Sequence, residues 1–239
     1  MKRIYNNILQ AKKSDKKLLA ILLDPDKLVV SAIKNLVLKI NTSPATHIFV
    51  GGSTVEKGQT ETIVTELKKH TTLPVVLFPG DKSQITNTAD GILFLSLLSG
   101  RNPEFLIEQQ IQSVSLLKNT NLEIISTGYI LIDGGVETAV QRISKTTPIT
   151  QNNTQLIVDT ALAGQYMGKQ LIYLEAGSGA TLHVEANIIS EVSKSIAIPL
   201  IVGGGLRSLS AVQNAYQAGA DLVVIGTAFE EDATFFEKI

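Results

Sequence analysis

Three segments near the C-terminal end constrain the fold of this chain most strongly. Each is an apolar run that stops at glycine or serine before a stretch with helical spacing: residues 173–179 (YLEAGSG), 201–205 (IVGGG) and 223–227 (VVIGT). Repeated strand–loop–helix units of this size build a parallel sheet whose ligand site lies at the carboxyl ends of the strands. Glycines there let backbone N–H groups approach a ligand, and helix N-termini favour anions. Because the last two loops of a TIM barrel often bind phosphate, the pattern predicts a phosphate-binding barrel.

Length and composition fit one such barrel. The chain has 239 residues, close to the ~250 typical of a (β/α)8 domain. Its residues are 44% hydrophobic and no linker marks a boundary, so we predict a single domain over residues 1–239. The net charge of −1 and the 5% aromatic content, without a basic stripe, argue against a dedicated nucleic-acid-binding protein.

The sequence also bears on the location of the protein. Residues 1–17 are polar and lysine-rich, unlike a signal peptide, and no apolar run approaches the ~20 residues of a membrane span. The chain contains no cysteine, which is compatible with a reducing cytoplasm. We therefore expect a soluble cytoplasmic protein with at most peripheral membrane contact. Base rates for such barrels favour a homo-oligomer.

Apolar runs predict eight strands and one break in the helical layer. The runs cover residues 18–23, 47–50, 75–78, 91–97, 123–132, 171–174, 199–202 and 221–225. Residues 81–90 are short and polar, so the helix after the third strand is predicted to be missing or stunted. The run 123–132 is long for one strand, and its second half is expected to be an insertion or hairpin. A doubly wound open sheet is the rival architecture, but its first strand usually ends in a glycine-rich turn, whereas this one ends in Asp24-Pro25-Asp26.

Polar residues after the first two strands predict a metal site. Asp24 follows the first strand, and Ser53 and Thr54 follow the second. In a barrel these ends are neighbours, and one carboxylate with one hydroxyl, completed by water and substrate phosphate, suits Mg²⁺. The structural alternative is that Asp24 and Ser53 only cap helices.

Glu175 is the candidate catalytic base. It lies between Tyr173 and a Gly-Ser-Gly turn at an otherwise apolar strand end, where its surroundings would raise its pKa and let it accept a proton from a bound hydroxyl. The structural alternative is a carboxylate that is paired with a lysine of the barrel or that caps the next loop. Tyr173 falls on the same side of the strand as Glu175. Arg207 follows the triple glycine and is a lesser candidate for phosphate contact.

Together these motifs resemble the geranylgeranylglyceryl phosphate synthase family, which includes the bacterial heptaprenylglyceryl phosphate synthases. The resemblance extends from about residue 18 to 230, and the tract 173–179 and the Asp-Pro-Asp-Lys start are its specific parts. The segments that carry it are residues 22–27 (LLDPDK), 50–54 (VGGST), 173–179 (YLEAGSG), 202–205 (VGGG) and 225–227 (IGT). It implies a modified TIM barrel that lacks a regular third helix.

The resemblance also implies a reaction and a site. An Mg²⁺-dependent prenyltransferase of phospholipid biosynthesis would join the C3 hydroxyl of sn-glycerol 1-phosphate to a polyprenyl diphosphate, geranylgeranyl diphosphate by the family name, and release diphosphate. Asp24 and Ser53 would hold Mg²⁺, and Glu175 would orient or deprotonate the hydroxyl. The implied glycerol-phosphate residues are Tyr173, Leu174, Glu175, Ala176, Gly177, Ser178, Gly179, Gly204, Gly205, Gly226 and Thr227.

Three alternatives remain open at the level of sequence. One is another phosphate-binding barrel enzyme of the sugar-phosphate isomerase type. The second is a non-catalytic barrel that binds a phosphorylated ligand, and the third is a flavin-binding oxidoreductase. For the prenyl chain, the Tyr129 region and residues 96–100 are the expected groove.

Overall fold

The apolar runs form eight parallel strands that close into a barrel. The computed structural model describes residues 3–232 and 235–236. Strands pair in chain order, and β1 closes the sheet against β8, with Ile21 opposite Ile225. This confirms the predicted barrel. The strands are β1 Leu18–Leu23, β2 His47–Val50, β3 Val75–Leu77, β4 Gly91–Leu97, β5 Glu123–Leu131, β6 Leu171–Glu175, β7 Leu200–Gly203 and β8 Leu222–Ile225.

Alternation along each strand divides the core into an inner and an outer layer. In β6, Tyr173 belongs to the cluster inside the barrel, whereas Leu174 belongs to the cluster between barrel and helices. Both layers are apolar, so the strands read as nearly continuous hydrophobic runs, as expected for a parallel sheet that is covered on both faces. The same alternation decides which side chains at the strand ends face a ligand.

Helices surround the barrel. Within residues 3–232 they are α1 Arg3–Lys13, α2 Ile33–Thr42, α3 Gln59–Leu67, α4 Gln109–Leu117, α5 Ala139–Ser144, α6 Thr154–Tyr166, α7 Ala186–Ser195, α8 Leu209–Gln217 and α9 Thr227–Glu231. None of these described helices has the length and apolar character needed to cross a membrane. A π-helical turn, Glu104–Glu108, precedes α4.

The helical layer is interrupted after the third strand, as predicted. Between β3 and β4, a stretch that is fully described, the chain forms one 3₁₀ turn, Lys82–Gln84, in place of an α-helix. The Asp81 carboxylate caps this turn by accepting the N–H of Ser83 at 2.6 Å. Because the connection is short, it leaves Pro79 and Gly80 at the edge of the central cavity.

The expected hairpin in residues 123–132 is wrong. Glu123–Leu131 is one nine-residue strand, because β4 is also long and pairs with it from Gly91 opposite Glu123 to Leu97 opposite Tyr129. The extra chain comes after the strand. Ile132 makes an isolated bridge to Ile149, and the segment between them carries α5.

Helix α1 covers the amino-terminal end of the barrel. Ile4, Ile8 and Ala11 pack into the inner cluster. At the start of the helix, the Glu123 carboxylate accepts the backbone N–H groups of Ile4 at 2.7 Å and Tyr5 at 2.9 Å. A residue distant in sequence thus satisfies two N–H groups that a helix end leaves without partners.

We expect Glu123→Ala to destabilise the protein by about 1–2 kcal/mol, because it removes the cap of α1 and the favourable charge at its N-terminus. Glu123→Gln keeps an acceptor and should lose less than half as much. Urea unfolding at neutral pH measures both variants. Equal stability of the alanine variant and the wild type would show that α1 does not depend on this cap.

Candidate active site

A cavity of about 480 Å³ opens at the carboxyl ends of the strands. It brings together residues from both ends of the chain, because β1 and β8 are adjacent. The predicted site residues that line it are Asp24, Ser53, Tyr173, Glu175, Gly177, Ser178, Gly179, Gly204, Gly205, Gly226 and Thr227. Thr54 and Arg207 line it as well.

Two predicted site residues face away from the cavity. Leu174 and Ala176 are fully buried in the outer layer between barrel and helices. The backbone N–H of Ala176 is also engaged, since it donates to the carbonyl of Gly203 at 3.0 Å. These two residues therefore shape the backbone of the loop that carries their neighbours, and their contact with a ligand stays a prediction.

Glu175 is a buried carboxyl group that faces the cavity. It is 5% exposed, and its Oε1 accepts the N–H of Gly177 at 2.7 Å. Burial raises its pKa to about 7, although the Tyr173 hydroxyl and the Gly177 N–H favour the charged form and lower the pKa. Among the described residues no lysine pairs with it, so the ion-pair alternative is not seen, whereas the bond from Gly177 shows that Glu175 does cap the next loop. A carboxyl group with this pKa can accept or donate a proton near neutral pH.

Aromatic side chains form an apolar cluster beside Glu175. The Tyr173 ring stacks on Phe78 with centroids 5.3 Å apart and meets Tyr129 edge to face at 5.4 Å. The Tyr173 hydroxyl is buried and has no hydrogen-bond partner of good geometry among the described residues. Burial, and then the nearby Glu175 charge, raise the pKa of Tyr173 well above its usual range. The hydroxyl is therefore a neutral donor that is free to bind Glu175 or a ligand.

The loop after β7 passes so close to Glu175 that it requires glycine. Gly204 has a φ of +82°, and a Cβ there would lie 2.4 Å from Glu175 Oε1 and 2.6 Å from the Gly177 nitrogen. Both the backbone conformation and the close approach exclude other residues. The loops after β6 and β7 are thus packed together, and their backbone faces the cavity.

Asp24 and Ser53 lie at neighbouring strand ends, as predicted. Asp24 approaches the loop after β2 so closely that a Cβ on Gly52 would lie 3.0 Å from its Oδ1. Asp24 also accepts the N–H of Asp26 at 3.2 Å, so the predicted capping role is real. Burial raises the pKa of Asp24, against the Asp26 N–H and the Lys27 charge, which lower it. Ser53 is half-buried and Thr54 is exposed.

Charged residues that sequence reasoning missed surround this corner. Lys27 Nζ lies 2.9 Å from Glu230 Oε2 and 3.8 Å from Asp24 Oδ2. Burial lowers the pKa of Lys27, but the two carboxylates outweigh it and raise the pKa above its ordinary value. Lys82 and Arg142 also line the cavity. The Lys27 position was visible in the Asp-Pro-Asp-Lys motif, whereas Glu230 had no local signal because its partners are about 200 positions away.

One side of the cavity is apolar. It extends from the aromatic cluster along β4 towards the π-helical turn and α5. The expected groove is partly seen: Tyr129 and Leu97 line the cavity, whereas the remainder of residues 96–100 does not. The apolar lining there consists of Leu93, Phe94, Leu95, Leu97, Phe105, Val140 and Ile143.

Known proteins share this architecture over nearly the whole chain. The geranylgeranylglyceryl phosphate synthase of Flavobacterium johnsoniae is 60% identical over 235 residues, which cover 98% of this chain and 97% of that protein. The synthase of the same name from Pyrococcus furiosus is 40% identical over 230 residues, 96% of this chain and 91% of that one.

A solved structure agrees with the sequence relatives. (S)-3-O-geranylgeranylglyceryl phosphate synthase from Thermoplasma acidophilum, in complex with its substrate sn-glycerol-1-phosphate, is 31% identical and has a TM-score of 0.93, covering 99% of this chain and 95% of that one. The PcrB family itself matches residues 11–239. The chain therefore belongs to the PcrB family, together with these geranylgeranylglyceryl phosphate synthases.

Proposed function

We propose that the protein joins the C3 hydroxyl of sn-glycerol 1-phosphate to a polyprenyl diphosphate through an ether bond. The observation that carries the proposal is the Glu175 carboxyl group, which is buried at the cavity wall with a pKa of about 7. It lies between glycine-rich loops on one side and the Asp24 corner on the other. The names of the relatives and the substrate bound to the Thermoplasma acidophilum enzyme support the same reaction.

Glu175 accepts the proton in this reaction. The C3 oxygen of glycerol phosphate forms a bond to the first carbon of the prenyl chain while the bond from that carbon to diphosphate breaks. The hydroxyl proton passes to Glu175, and diphosphate leaves with the bonding electrons. An apolar wall excludes water, which would otherwise compete for the allylic carbon.

The glycine-rich loops hold the phosphate of the acceptor. Ser178, which follows β6, and Thr227, which follows β8, place their hydroxyl oxygens 3.5 Å apart at the edge of the cavity. Arg207 lines the same side and makes one long contact, 3.5 Å to the carbonyl of Gly179, so its guanidinium is free to turn to an anion. Hydroxyls, backbone N–H groups and a guanidinium are the donors that phosphate requires.

The Asp24 corner holds Mg²⁺ in this proposal. No cluster of three or more His, Cys, Asp or Glu side chains within residues 3–232 and 235–236 could hold a metal ion. A carboxylate beside one hydroxyl fits Mg²⁺, which keeps water and substrate phosphate oxygens as its other ligands. When bound, Mg²⁺ neutralises the diphosphate leaving group. Lys27 adds a positive charge at the same corner.

The apolar side of the cavity accommodates the prenyl chain. Side chains of β4 and Phe105 contribute most of the apolar surface on that side of the cavity. Burial of the prenyl chain against this surface is favourable by roughly 0.8 kcal/mol of transfer free energy for each CH₂ group. The first carbon of the chain is then held near the acceptor hydroxyl, and positioning of this kind supplies much of the rate.

A transfer assay tests the reaction. Purified protein is given geranylgeranyl diphosphate and Mg²⁺ with either sn-glycerol 1-phosphate or sn-glycerol 3-phosphate, with EDTA as the metal control. Ether product from the 1-phosphate alone is expected. If donors of 20 carbons or more yield no product although glycerol phosphate binds, a different phosphate-barrel enzyme or a sensor becomes the better reading.

Glu175→Gln should lower turnover by about 10²-fold or more, because the amide cannot accept the proton. In the wild type, kcat/KM should fall about tenfold for each pH unit below the Glu175 pKa of about 7, and the variant should lack this dependence. Glu137→Gln, a change at an exposed carboxylate of the same cavity, is the control. Wild-type turnover of Glu175→Gln would assign the group a structural role.

The same variant should stabilise the fold at alkaline pH. The Glu175 pKa is about 7 when folded and 4.5 when unfolded, so the folded state binds the proton more tightly and stability falls as pH rises from 4.5 through 7. Glu175→Gln removes this loss of stability. At pH 8 the free energy of unfolding of the variant, measured by thermal unfolding, should therefore exceed that of the wild type by about 3 kcal/mol. At pH 4 the difference should vanish. An equal change at both pH values would contradict the raised pKa.

Asp24→Asn should abolish activity together with its response to Mg²⁺, with turnover lower by about 10²-fold or more. Asp81→Asn is the matched control, since Asp81 also lines the cavity and asparagine preserves its capping bond. Titration of Mg²⁺ against initial rate measures both variants. A fully active Asp24→Asn variant would refute the metal site.

A further inference from the structure

Glu230 connects α9 to the loop that follows β1. Its Oε2 accepts a hydrogen bond from Lys27 Nζ at 2.9 Å, and its Oε1 accepts the backbone N–H of Asp24 at 3.3 Å. The Glu230 side chain is 17% exposed and that of Lys27 52% exposed, so the carboxylate is held within the structure while the ammonium group remains accessible to solvent. Both ends of the connection lie at the proposed metal corner.

Lys27 therefore lies between two carboxylates, with a short hydrogen-bonded ion pair to Glu230 and a longer ion pair to Asp24. Its ammonium group is at hydrogen-bond distance from Glu230 but 3.8 Å from Asp24. The other carboxylate of the loop, Asp26, is engaged elsewhere, because its two oxygens accept the N–H of Glu56 at 3.1 Å and 3.2 Å. With Glu230 charged, the ammonium has a partner other than Asp24.

Helix α9 fixes the position of Glu230. Phe229 is 1% exposed and anchors the helix in the outer core, where its ring lies 6.1 Å from that of Phe236. Thr227, which lines the proposed phosphate side, begins the same helix. A short helix that is anchored in this way cannot move its Glu230 end without also moving Thr227.

We propose that Glu230 is a positioning residue that holds the Lys27 ammonium off Asp24 and so keeps the Asp24 carboxylate available to a divalent cation. This inference rests on the metal site of the proposed function. Without the Glu230 charge, Asp24 becomes the nearest carboxylate to Lys27. The flexible lysine side chain then closes the remaining gap, and its ammonium competes with the cation for the same oxygen atoms.

A double-mutant cycle with Mn²⁺ tests the proposal on the full-length protein. Free Mn²⁺ is measured by electron paramagnetic resonance for the wild type, Glu230→Gln, Lys27→Met and the double variant. Glu230→Gln should weaken Mn²⁺ binding by about tenfold when Lys27 is present and by no more than about threefold when it is absent. The reason is that only the Lys27 ammonium, once it has lost Glu230, can compete with Mn²⁺ for the Asp24 carboxylate. Glu231→Gln, an exposed change on the same helix, is the matched control and should bind as the wild type does.

Two results of the cycle would overturn the proposal. Wild-type affinity in Glu230→Gln would show that Lys27 does not compete, and an equal loss with and without Lys27 would show that Glu230 attracts or binds the cation directly. Asp24→Asn in the same titration separates the two levels of inference. Mn²⁺ binding that Asp24→Asn leaves unchanged would refute the metal site itself, and this inference with it.

A crystal structure of Glu230→Gln gives a readout that needs no metal. Lys27 Nζ should move to about 3 Å from an Asp24 oxygen, the distance of a direct ion pair. A lysine that stays near its wild-type position would refute the inference even if the metal site is correct. Thermal unfolding of each variant checks that the barrel remains folded.

Discussion

Closure of the sheet between β1 and β8 is the constraint on which the rest of the molecule depends. The pairing of Leu18–Ile21 with Leu222–Ile225 makes the first and last strands neighbours. Because all eight strands are parallel, every carboxyl end then lies on the same rim. The loop that carries Asp24 and the helix that carries Thr227 and Glu230 meet there, although about 200 residues separate them. No isolated half of the chain could form this site.

Burial of Glu175 gives the carboxyl group a pKa suited to proton transfer but lowers the stability of the folded state when the group is charged. The barrel removes the carboxyl group from water and supplies one backbone N–H but no cation. A fully charged carboxylate is costly under these conditions, so the pKa rises towards neutrality. The raised pKa suits proton acceptance near pH 7, and it also weakens the folded state whenever the group is charged. Tyr173 shares this environment: its hydroxyl favours the charged form of Glu175 but has no hydrogen-bond partner of good geometry among the described residues. A buried polar group in this state at a cavity wall is typical of a ligand site.

Polar loops and most of the apolar side chains line different parts of the cavity. Glycine-rich loops and Arg207 occupy one side, Asp24 and Lys27 a second, and the apolar residues of β4 with Phe105 a third. The missing helix after β3 contributes to this division, because the short turn Lys82–Gln84 leaves the rim open beside the apolar wall. A molecule with an anionic head and a long hydrocarbon chain fits the Asp24 and apolar parts of this cavity. A small phosphorylated acceptor fits the glycine-rich loops beside them.

Local patterns in the chain predicted the barrel, the break after the third strand and most residues of the rim, because apolar runs, glycines and Asp-Pro-Asp are local signals with local physical causes. The sequence could not decide that residues 123–132 form one strand, since that depended on the equally long β4 beside it. It could not show that Leu174 and Ala176 face the outer layer, or that Glu230 pairs with Lys27. These features depend on contacts that form only in the folded barrel. The closed barrel sets the direction of side chains at a strand end, the burial of a carboxyl group and the contacts between distant segments. None of these features produces a periodic pattern in the sequence from which it could be predicted.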